Sequence, residues 1–172
     1  MLVQSKPPTK AHPIWDFALA WYGQRGVEAD CLVAQDIYGL DITAIIFALY
    51  RAAHNQGFDA GMAVELARTL SARIVDPLRS VRVALKTLPN LVDQTVSEAL
   101  RQRVKAAELD AERMTLITLT NLEVKGEAVS FEAALIATAL ASQAGNDAEL
   151  GALLKRLALA AQNMRRRIRA SA

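Results

Sequence analysis

The spacing of apolar and polar residues divides the chain into helical segments. In "PIWDFALAWY" it places Ile14, Phe17, Ala18, Trp21 and Tyr22 on one broad apolar face, with Pro13 suited to a first helical position and Gly23 and Gly26 to ending the run. A second segment runs from about Val27 to Tyr38, where Gly39 can adopt the left-handed conformation that closes a helix. Asp41 then caps a third, "ITAIIFALYRAAHNQ", which Gly57 ends, and Asp59 caps a fourth through "MAVELARTLSARIV". Asp76-Pro77 either kinks that helix or starts a fifth with Asp76 as its cap, and a break or sharp kink is the expectation.

Pro89-Asn90 closes this segment, and one long helix follows over about 93–122 with an apolar row of Val96, Leu100, Val104, Ala107, Ala111, Met114 and Leu122. Its last part, "TLITLTNLEV", also alternates as a strand would, but no second strand is present to pair it. Ser130 caps a short "FEAALIATALASQ" that Gly145 ends. Asn146 with Glu149 makes a capping-box start for a last helix striped by Leu150, Leu153, Leu154, Leu157, Ala161, Met164 and Ile168. The reading is all-α: a single-domain bundle of seven to eight helices over 13–172, preceded by an extended arm over 1–12 that carries Pro7 and Pro8.

Composition narrows the functional classes. Each apolar window is interrupted by charges such as Arg51, Glu65 and Arg68, so no transmembrane segment is expected, and the N-terminus lacks a signal-peptide core, which makes the cytoplasm the expected location. The single cysteine, Cys31, excludes an internal disulfide and reads as a buried small hydrophobe. Charge is split along the chain: residues 1–149 are net −4, whereas residues 150–172 carry 6 Lys/Arg and no acid.

Two polar groupings stand out. Arg79, Arg82 and Lys86 fall within an arc of about 60° on one helix, at the edge of the row formed by Leu78, Val81 and Leu85. The long helix answers with a ladder of alternating charge, Glu98, Arg101, Lys105, Glu108 and Glu112. Two helices joined by a short turn are normally antiparallel neighbours, so the simplest reading pairs these cations with those carboxylates. The alternative is an anion site lined by the Arg79 and Arg82 guanidinium forks. The second grouping joins Trp15 and Asp16 of the first helix to Gln35 and Asp36 at the end of the second. Asp16, between two aromatic residues, would need a cation such as Arg79 or Arg82 if buried.

His12 and His54 are the only histidines and neither sits in a metal-binding spacing. No P-loop, G-x-G-x-x-G or G-x-S-x-G motif occurs, so no metal, cofactor or catalytic residue is assigned. Arg165, Arg166, Arg167 and Arg169 at the chain's end either complement the helix C-terminus or form a footprint for nucleic acid or another anionic surface. The final 40 residues contain no aromatic side chain to stack on bases.

Taken in order, "IWDFALAWY", "CLVAQDIYGLDITAIIFALY", "DPLRSVRVALK" and "KAAELDAER" resemble an uncharacterised proteobacterial family of small helical proteins known only as a domain of unknown function, over most of residues 14 to 115. The resemblance implies a helical fold and supplies no activity, cofactor or partner. The expectation is therefore a non-enzymatic binding or adaptor protein whose polar centre is Trp15, Asp16, Gln35, Asp36, Arg79, Arg82 and Lys86. Its rivals are a small-anion sensor or enzyme using Arg79 and Arg82, or a weak binder of anionic surfaces through the C-terminal helix. A protein partner or a homodimer through the aromatic first helix is expected.

Overall fold

The computed structural model describes residues 12–88, 93–145 and 147–170, with side chains as far as Arg166. Its helices are α1 (Pro13–Tyr22), α2 (Val27–Asp36), α3 (Ile42–Ala53), α4 (Ala60–Leu70), α5 (Asp76–Ala84), α6 (Gln94–Leu119), α7 (Phe131–Ala141) and α8 (Ala148–Ala170). No strand occurs among the described residues. A π-helical turn, Ser71–Val75, joins α4 to α5, so the eight become seven when these two count as one continuous helix. Residues 1–11 of the expected extended arm, the Pro89-Asn90 turn and the Asn146 cap lie outside the described residues.

Helix starts follow the side chains that satisfy free backbone N–H groups. The carboxylate of Asp41 accepts from Thr43 and Ala44, that of Asp59 from Met62, and the Ser130 hydroxyl from Ala133, as the sequence predicts. For α8 the described cap is Asp147, whose Oδ1 accepts the Leu150 N–H at 2.7 Å. At Asp76-Pro77 the expected break does not form. The backbone stays helical, with φ −69° and ψ −49° at Val75 and φ −64° and ψ −41° at Asp76, so Asp76 is not a cap. The wider π turn ahead of the proline accommodates the ring and its missing N–H within an unbroken helix.

The core forms around α3. Nine of its twelve residues are buried, and it packs against α1, α2, α4, α6, α7 and α8, which explains why its sequence is apolar nearly all round. The predicted α8 stripe lies in the same core from Leu150 to Met164, the side chain of Ile168 falling outside the described residues, and the Trp21 indole N–H of α1 donates to the Leu157 carbonyl of α8 at 3.2 Å. Within α1, Trp21 is fully covered and Trp15, Phe17 and Tyr22 are half-buried, so Leu19, 54% exposed, is the large apolar side chain that this helix leaves to solvent.

The apolar rows predicted for α5 and for the first half of α6 are not core. α5 has no buried residue and, among the described residues, packs on α6 and the π turn alone, and Val81, Val96, Leu100, Ala107 and Met114 are exposed. Two paired helices without a third can cover only the strip where they face each other. On α6 that strip holds Ser97, Val104, Glu108 and Ala111. The hairpin of α5 and the front of α6 therefore stands out from the body as an arm.

Gly57 lies against the Lys125 and Gly126 backbone so closely that a Cβ would collide with both carbonyl oxygens. Gly57→Ala is expected to cost about 1–3 kcal/mol through this overpacking, read by chemical denaturation; a loss below ~0.5 kcal/mol would show that the 121–130 loop gives way freely.

Candidate functional site

Glu108 joins the arm to itself. Its side chain is 9% exposed, and its carboxylate accepts from Arg79 Nε at 3.0 Å, from Arg82 Nη2 at 3.2 Å and also from Arg82 Nε. Arg79 reaches on to Glu112 at 3.3 Å and to Asp76 at 3.6 Å. The cations of α5 thus meet the carboxylates of α6, as the spacing of the two rows predicts. Burial pushes the Glu108 carboxyl up, but the hydrogen bonds from Arg82 and Arg79 outweigh it and hold the group below its ordinary value. Glu112 goes the other way: burial raises it, and its single contact with Arg79 does not compensate. Glu98, at the front of the ladder, is occupied within α6 by Arg101 and Gln102, which draw it down to about 2.

Where the arm roots in the body, α1, α2, the start of α3, the π turn, α5 and α6 enclose a cavity of about 930 Å³. Its apolar walls are Trp15, Leu19, Tyr22, Leu32, Ile46, Leu109 and Leu116, and its polar groups are Gln35, Asp41, Arg68, Ser71, Asp76, Arg79, Arg82 and Glu112. Four of the seven residues of the predicted polar centre, Trp15, Gln35, Arg79 and Arg82, come together here. The other three do not line it: Asp16 and Asp36 are exposed, and Lys86 is exposed toward the tip of the arm. Asp16 points away from the core on α1, so the ion pair expected for it is absent, and Arg79 and Arg82 are taken by Glu108, Glu112 and Asp76 instead.

Asp41 was legible only as a cap. Its Oδ1 does cap α3, yet its Oδ2 accepts the Ser71 hydroxyl of the π turn at 2.6 Å, which ties the cavity floor to the helix that carries the arm. π turns recur at functional sites, and no sequence pattern announced this one. Arg68, which also lines the cavity, donates to the Ser142 carbonyl at 2.8 Å. Behind the α2 wall Cys31 is buried, and burial pushes its thiol up to about 12, so it is a neutral packing residue and not a nucleophile at neutral pH.

A second hollow, about 760 Å³, lies between the start of α7 and the outer face of α8 and is lined by Lys155, Arg165 and Arg166 together with Asn55, Phe131 and Leu159. Arg165 donates to Asn55 Oδ1 at 3.2 Å, and Lys155 is 3.9 Å from Glu132. The side chains of Arg167 and Arg169 lie outside the described residues. Among the described residues no group of three or more His, Cys, Asp or Glu is placed to hold a metal, and no helix is long and apolar enough to cross a membrane.

Removing the charge at Glu108 (Glu108→Gln) is expected to cost about 1–3 kcal/mol, less than a fully buried pair would, because both guanidiniums retain some solvent. The folded Glu108 value is depressed, so its contribution is complete above the ordinary value of 4.5 and drains away as pH falls through the folded value. Denaturant titrations of wild type and variant should run parallel at neutral pH and converge in acid. A constant gap down to the acid limit would contradict this.

Neither a curated protein nor a solved structure matches the chain. A family model, DUF2390, described as a protein of unknown function, matches residues 13–119. Every residue lining the larger cavity falls inside that segment, whereas most of the second hollow lies beyond it. With more than half of its length covered, the chain belongs to this family of proteins of unknown function.

Proposed function

We propose that the protein is a non-enzymatic binding protein that receives an amphipathic small molecule, or an amphipathic side chain of a partner, in the cavity at the root of the arm. The observation that carries the reading is the cavity itself. About 930 Å³ lies within the range of small-molecule sites, and apolar walls with a few convergent polar groups are what such sites consist of. Trp15, Tyr22 and Leu32 would take the apolar part of the ligand, while Gln35, Glu112 and the rim of Arg79 would orient its polar end. The rival reading, an anion sensor or enzyme using Arg79 and Arg82, loses ground because both guanidiniums are already engaged by carboxylates, and an anion would have to displace them.

The second hollow supports a subsidiary anion-binding role for the C-terminal helix, because it gathers Lys155, Arg165 and Arg166 on one surface.

Leu32 and Leu109 stand at the cavity rim and are about half exposed, so Leu32→Glu and Leu109→Glu should leave the melting temperature nearly unchanged. In native mass spectrometry, wild-type protein from its own cells should carry a small organic molecule that both variants lose; equal masses, with no thermal shift of wild type by cell extract, would refute the reading. For the C-terminal helix, binding to a polyanion such as heparin should fall steeply with salt and vanish when Lys155, Arg165 and Arg166 are replaced by Ala. Retention by the triple variant would end the subsidiary role.

A further inference from the structure

We infer that the outer face of α6 is a homodimer interface in which two copies of the arm cross antiparallel at Ala107. Val96, Leu100, Arg103, Ala107, Asp110 and Met114 follow one another at spacings of four, three, four, three and four, so they form one stripe along the helix, and all six are exposed. The face of α6 that packs on α5 is a different one, centred on Glu108, so this stripe has no partner within the described chain. Val96 is 65% exposed.

The order of residues along the stripe identifies the occupant. Its middle is Ala107, next to Ala106, where two backbones can approach closely. On one side of that middle stands Arg103 and on the other Asp110, each about 5 Å along the axis. Beyond them stand Leu100 and Met114. A second copy running antiparallel across Ala107 places Arg103 of each chain against Asp110 of the other, and Leu100 of each against Met114 of the other. The stripe is thus complementary to itself under a two-fold axis, which is what an isologous interface requires. A parallel pairing would oppose Arg103 to Arg103 and Asp110 to Asp110. Neither side chain is in an ion pair among the described residues, so both are available to the partner copy. This moves the expected dimer contact from α1, whose aromatic residues are largely spent on the core and the cavity, to the arm.

Sedimentation velocity on the full chain tests the register. Wild type should show a reversible monomer–dimer equilibrium, and Arg103→Asp or Asp110→Arg alone should each weaken it by at least about tenfold, because like charges then face each other twice. The double exchange, Arg103→Asp with Asp110→Arg, should restore it. All three variants lie on the surface, and circular dichroism checks that each is folded. Independently, Ala107→Cys sits on the proposed axis and should form a covalent dimer on mild oxidation, whereas Ala99→Cys, exposed on the same helix but off the axis, should not; the native Cys31 is buried and does not compete. A wild type that stays monomeric at every concentration, single variants that dimerise as wild type does, or a double exchange that fails to restore association would each overturn the proposal.

Discussion

A guanidinium sits almost fully covered at the centre of this fold, and the packing around it depends on the acceptors brought to its two terminal nitrogens, its Nε having no partner among the described residues. Arg51 belongs to α3 and is 5% exposed. Burial of this kind is tolerated only where acceptors are brought to the charge. They are Gln56 Oε1 at 2.9 Å and the carbonyls of Thr120 and Leu122 in the turn that follows α6, with the Phe47 ring 5.0 Å beneath. The end of a long helix has carbonyls left over and carries the negative pole of its dipole, so it suits a buried cation. One contact thereby fixes the end of α6 against α3, and with it the position from which the rest of α6 projects. Burial lowers the Arg51 pKa.

That anchoring divides α6 into two parts with different chemistry. Its last turn puts Thr115, Leu116 and Leu119 into the core, whereas its front is held by polar contacts to α5 through Glu108. The cavity forms at the transition, where the core helices have ended their contact with α6 and the arm has begun. Such a junction leaves space because the two parts obey different packing requirements: side chains interdigitate in the body, while the arm closes only along the strip its two helices share. The Ser71 to Asp41 hydrogen bond closes the floor of that space.

Much of the fold could be read from the sequence because it was set locally. Asp41, Asp59 and Ser130 cap the helices they precede, and the leucine stripe of α8 is buried as its period requires. The pairing of Arg79 and Arg82 with Glu108 and Glu112 was legible too, since charge rows on adjacent antiparallel helices have one economical arrangement. What could not be read depends on neighbours that periodicity does not name. Val96 and Leu100 have the spacing of a core row, yet no third helix among the described residues lies beside the arm to cover them. Asp16 has the same sequence signature whether it faces the core or solvent. The π turn is a shift of one residue in hydrogen-bond register, which alters no apolar period long enough to notice, and the second role of Asp41 depends on it.

The unbroken passage from α4 through the π turn into α5 has a mechanical consequence. From Ala60 to Ala84 the backbone is one helical rod of about 37 Å, clamped at one end among α3, α6 and α7 and carrying the arm at the other. The turn at Ser71–Val75 shifts the hydrogen-bond register within that rod without ending it, and Ser71, Ala72 and Val75 form part of the cavity wall. The same five residues are thus at once a wall of the cavity and the root from which the arm projects.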